Sequence, residues 1–131
     1  MPVEKYFDEV KRILKYFSSF ILSASITFES RSSGFGKVKG YIIFIDSSRL
    51  HLLEIIDATQ PGKIQYSYHY QTKDGKIIFR YDNAPHHKEI KSFPHHRHCE
   101  SEQQVLATDE PSLNTVLKEI VAFFLKNSQI A

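Results

Sequence analysis

Six of the chain's seven histidines fall within residues 66–98, in the run YSYHYQTKDGKIIFRYDNAPHHKEIKSFPHHRH. Imidazoles are only moderately frequent in cores and change charge near neutral pH, so this density suits proton transfer, metal ligation or anion binding. His69 lies on a stretch that reads as a strand, and Arg80 and Asp82 lie on the next. Together they offer a proton-transfer group, a cation suited to a phosphate, and a carboxylate to orient either one. Those are the parts of a phosphodiester-cleaving site. The same alternation would equally serve a solvated sheet face with polar cross-strand pairs.

His86, His87, His95, His96 and His98 are interleaved with Lys88, Lys91 and Arg97, against Glu89 alone. The region is therefore positive, and more so as pH falls. With a metal, His96-X-His98 sets two imidazoles on one side of an extended segment and His86 or its neighbour adds a third, a set suited to zinc or another divalent ion. Without one, His86, His87, His95, His96 and Arg97 would bind substrate phosphates. A third reading is a polar loop whose imidazoles cap backbone groups. Glu54 is a further candidate, because it interrupts the apolar positions Leu50, Leu52 and Ile56 on one strand face. A turn pairing Asp46 with Arg49 would set Glu54 beside Tyr41, as a general base or as one half of a structural ion pair.

The elements that must position these residues are legible as periodicity. Tyr6, Phe7, Val10, Ile13, Leu14 and Phe17 form the stripe of an amphipathic helix of about four turns. Near the other end, Thr108, Asp109 and Glu110 precede Pro111, after which Leu113, Val116, Leu117, Ile120, Val121 and Phe124 recur at helical spacing. Between the helices, segments 22–30, 38–45, 50–56, 64–71 and 77–82 have strand character and are separated by turn chemistry. Their connections are too short for parallel crossovers, so the expectation is an α+β fold: a meander of about five antiparallel strands flanked by an N-terminal and a C-terminal helix. A two-residue turn at Asp74-Gly75 would put Tyr70 opposite Phe79, His69 opposite Arg80, Tyr68 opposite Tyr81 and Ser67 opposite Asp82. One face then gathers Tyr66, Tyr68, Tyr70, Ile77, Phe79 and Tyr81, and the other Ser67, His69, Gln71, Arg80 and Asp82.

At 131 residues, 41% hydrophobic and 24% charged, the chain fits one domain spanning residues 1–131. A net charge of +2 does not by itself demand nucleic acid. The lone Cys99 excludes an intrachain disulfide and is a weak nucleophile candidate. No segment is long and apolar enough to span a bilayer, so the expected location is the cytoplasm. Without turnover, the same sequence would fit a metal- or partner-binding module, or a homodimer formed through its hairpin.

The runs Tyr68-His69-Tyr70-Gln71, Asp74-Gly75, Phe79-Arg80-Tyr81-Asp82-Asn83-Ala84-Pro85-His86-His87 and Phe93-Pro94-His95-His96-Arg97-His98 resemble the TumE-type toxin family of prokaryotic toxin–antitoxin pairs. Gly40-Tyr41, Asp46, Glu54 and Glu110-Pro111-Ser112-Leu113 follow in similar order, although relatives often place glycine where this chain has Ser47. The resemblance implies a growth-inhibiting protein neutralised by a cognate antitoxin, commonly of the helix-turn-helix class. It assigns no reaction to particular residues. RNA cleavage is the expectation from the chemistry of His69 and Arg80, joined to the habit of such toxins of attacking RNA.

Overall fold

The computed structural model describes residues 2–31, 34–85, 91–99 and 105–128; His86 and His87 lie outside them. Helix α1 (Val3–Tyr16) is followed by a single 3-10 turn, Ser18–Phe20. Seven strands come next: β1 (Ile21–Ser30), β2 (Phe35–Phe44), β3 (Arg49–Asp57), β4 (Lys63–Gln71), β5 (Ile77–Asp82), β6 (His96–Cys99) and β7 (Val105–Ala107). Helix α2 (Leu113–Ser128) closes the fold. The strands lie in sequence order in one sheet, and every neighbouring pair is antiparallel. The α+β meander is as expected, but among the described residues it has seven strands rather than about five. The two extra ones escape pattern reading for physical reasons: HRHC in β6 has no apolar alternation, and β7 is three residues long.

Both helices cover the same face. Val3, Phe7 and Val10 of α1 and Leu113, Val116, Leu117 and Ile120 of α2 are buried against Val38, Ile42, Leu50, Leu52, Tyr66, Tyr68, Tyr70 and Phe79 of the sheet. The tyrosines therefore build core rather than an open stacking platform. Ser112 starts α2, its Oγ accepting the Thr115 N–H at 3.1 Å. Glu110, one of the acidic residues ahead of that helix, instead accepts the backbone N–H of Lys63 at 3.1 Å and pairs with the Lys63 ammonium at 3.6 Å. Glycine is required at position 40 of β2, because a Cβ there would fall 2.0 Å from the Ser25 carbonyl oxygen of β1.

Two hairpin turns share one geometry. At 72–76, Gly75 N–H bonds the Thr72 carbonyl and Thr72 N–H bonds the Lys76 carbonyl, each at 2.9 Å. At 44–48, Ser47 N–H bonds the Phe44 carbonyl at 2.8 Å and Phe44 N–H bonds the Ser48 carbonyl at 2.9 Å. Each is a three-residue loop whose last residue has positive φ, 85° at Gly75 and 70° at Ser47. The expected two-residue turn at Asp74-Gly75 is thus corrected. Its register nevertheless stands, because one extra residue at Ile78 shifts the ladder back: Gln71 pairs with Ile77 and Tyr70 with Phe79. Ile78, not Ile77, packs on the core. No such compensation follows the 44–48 turn, so Glu54 lies opposite Val38 and Tyr66, and Tyr41 lies opposite His51.

Candidate functional site

Consecutive strand pairings align one row of side chains across the face that carries neither helix. Tyr41 pairs with His51, His51 with His69, His69 with Arg80, and Arg80 with His98. One step along the strands, Ser67 pairs with Asp82 and Asp82 with His96. Alternation along each strand puts these residues on one side and the tyrosine core on the other. The His51 and His69 rings are 6.4 Å apart and nearly perpendicular. Tyr41 and His51 are exposed and His69 half-buried, so the row opens toward β2 and β3.

At the β5–β6 end the row becomes a buried cluster. Asp82, His96 and His98 are 3%, 2% and 5% exposed, values low enough that each polar atom there requires a partner. Asp82 Oδ1 lies 2.8 Å from His96 Nε2 and accepts the Ala84 N–H at 3.0 Å. Asp82 Oδ2 lies 3.1 Å from Arg80 Nε and 3.8 Å from His98 Nε2. Asp82 thus pairs with the base of the Arg80 side chain, which stays about one-third exposed. Lys37, Lys39 and Arg49 occupy positions on the same face of β2 and β3 and make its field more positive.

A family model described as Toxin TumE matches residues 10–127. The chain belongs to the TumE toxin family. No curated protein and no solved structure matches it. Membership makes it a toxin of a toxin–antitoxin system and implies an antitoxin partner. Among the described residues of this TumE chain, no helix is long and apolar enough to cross a membrane.

Of the residues singled out from the sequence, the TumE fold brings His69, Arg80, Asp82, His96 and His98 to one face. It sets three others apart. Glu54 is fully buried on the helix side, where it accepts hydrogen bonds from Tyr6 Oη at 2.6 Å and from Tyr68 Oη. Burial, reinforced by the Glu54 charge, pushes both phenols far above the usual tyrosine range. Arg97 also points to the helix side: it pairs with Glu119, contacts the Cys99 sulfur, and lies over the Phe79 and Tyr81 rings. Burial works against its charge, but Glu119, Tyr81 and Cys99 outweigh it and hold the guanidinium protonated. His95 stacks on Tyr66, its Nδ1 2.8 Å from the Tyr66 hydroxyl. The expected metal set of His86, His96 and His98 has two members in the cluster, and the third falls outside the described residues.

His51 stands beside His69, yet its spacing does not announce it. Its signal is weak because it lies outside the histidine run and the 58–62 connection does not fix the β3–β4 register. With a three-residue loop at 44–48, the β2–β3 ladder would have placed it next to Tyr41.

Proposed function

We propose that this TumE toxin cleaves RNA on its helix-free face, with His51 and His69 as the acid–base pair and Arg80 as the phosphate-binding cation. The supporting observation is the row His51–His69–Arg80, in which two imidazoles and a guanidinium occupy adjacent cross-strand positions. In this reading one imidazole removes the proton of a ribose 2′-hydroxyl, and its oxygen attacks the adjacent phosphorus. The other imidazole protonates the departing 5′-oxygen, leaving a 2′,3′-cyclic phosphate and a 5′-hydroxyl. Arg80 offsets the charge that develops on the phosphorane, and Asp82 orients Arg80. Lys37, Lys39 and Arg49 serve the RNA backbone.

The reading includes a cytoplasmic setting and a helix-turn-helix antitoxin. It is tested by controlled expression of the wild type beside a His69→Ala/Arg80→Ala double variant at matched soluble level. Arrest by the wild type alone is expected, with the variant's activity reduced by at least about 100-fold. Arrest by both removes the row from the mechanism.

A further inference from the structure

We infer that Asp82, His96 and His98 form a binding site for a divalent transition-metal ion of the zinc class. One ligand atom from each lies within 4.8 Å of the other two, and all three residues are buried. The decisive detail is the protonation of His96. Its Nδ1 lies 2.9 Å from the Pro94 carbonyl oxygen, which can only accept, so Nδ1 carries the hydrogen. A neutral His96 therefore turns an Nε2 lone pair toward Asp82 Oδ1, 2.8 Å away. Two acceptors at that distance need either a proton shared between them or a metal ion bound to both.

The surroundings favour the metal. A ligating histidine characteristically donates its other N–H to a backbone carbonyl, and a ligating carboxylate is itself held by donors. Here Pro94 O receives the His96 N–H, Ala84 N–H bonds one oxygen of Asp82, and the Arg80 guanidinium is ion-paired with the other. His98 Nε2, 3.8 Å from Asp82 Oδ2, closes the third side. Two imidazoles and one carboxylate suit zinc and its neighbours rather than magnesium or calcium, and three protein ligands leave a coordination position for water. The ligands come from adjacent strands β5 and β6, whose pairing of Asp82 with His96 positions them without help from a loop.

This inference is independent of RNA cleavage, and its test reads metal rather than activity. Untagged chain is purified without chelator, its metal content is measured, and metal-stripped chain is titrated with Zn²⁺ or Co²⁺. One equivalent per chain is expected, with a midpoint of thermal unfolding higher by about 10 °C at a hundredfold excess of metal over Kd. Asp82→Asn and His98→Ala should weaken binding by about 100-fold, while His69→Ala retains full stoichiometry. Failure of the wild type to bind either ion stoichiometrically overturns the site and leaves a protonated His96 as the bridge. Unchanged affinity in a folded Asp82→Asn chain overturns it as well. Should the variants not fold, the cobalt spectrum of the wild type decides: d–d absorption without thiolate charge transfer supports this ligand set, and a thiolate band moves the metal to Cys99.

Discussion

The two faces of the sheet hold the same kinds of side chain and use them differently. On the covered face, Glu54 takes one phenol from α1 and one from β4, and Arg97 takes Glu119 of α2. Each charge is matched by a partner that arrives with a helix or a neighbouring strand, and the pairing ties the layers together. On the other face, His51, His69 and Arg80 come from three adjacent strands and open toward solvent at the Tyr41 end. A charge surrounded by its partners in a dry layer is committed to structure, whereas an imidazole near water can still exchange its proton. Position relative to the helices therefore separates Glu54 from the other residues that the sequence offered for catalysis.

The sharpest way to break this contrast is Glu54→Ala. Removing the carboxylate leaves a cavity and two buried phenols without their acceptor, so urea unfolding should show a loss of about 3–5 kcal/mol. His69→Ala, on the open face, should cost under about 1 kcal/mol. Equal losses would mean that the faces do not differ as described.

A smaller effect concerns alkaline stability. Burial raises Tyr70 and Tyr81 to about 12, and Tyr6, Tyr66 and Tyr68 further, from an ordinary value of 10.0. The native state then holds more protons than the unfolded chain once pH exceeds the unfolded value, so stability is complete below it and falls as pH rises from 10.0 toward 12. Phenolate absorbance should appear together with loss of the far-ultraviolet circular dichroism signal; tyrosines that titrate normally in a folded chain would place them outside the core. The least effect is expected for Ser47→Gly, which relieves a left-handed backbone position and should stabilise the chain by about 0.5 kcal/mol in the same unfolding measurement.

That serine also explains how much of the molecule was legible. The helices and five of the strands follow from apolar spacing, because each buries one face. The His69–Arg80 and Ser67–Asp82 pairings follow even from a two-residue turn at Asp74-Gly75, because the extra residue at Ile78 offsets the longer loop. At Asp46 no bulge intervened, so the same misjudged loop displaced Glu54 from its true neighbours, Val38 and Tyr66. Ser47 disguised the second loop, since its left-handed conformation is one that glycine would have announced. In β6 the polar sequence HRHC hid a strand, and with it the fact that Asp82 and His96 are paired residues rather than members of two separate clusters.

The proposed function puts phosphodiester chemistry on the open face. Its most direct test is to incubate the purified toxin with RNA and determine the chemical nature of the new ends. The expected products are 2′,3′-cyclic phosphate and 5′-hydroxyl termini, formed by the wild type and lost in folded His51→Ala, His69→Ala and Arg80→Ala variants. Intact RNA in the presence of a toxin that still arrests growth, or undiminished cleavage by the His69→Ala variant, would contradict it.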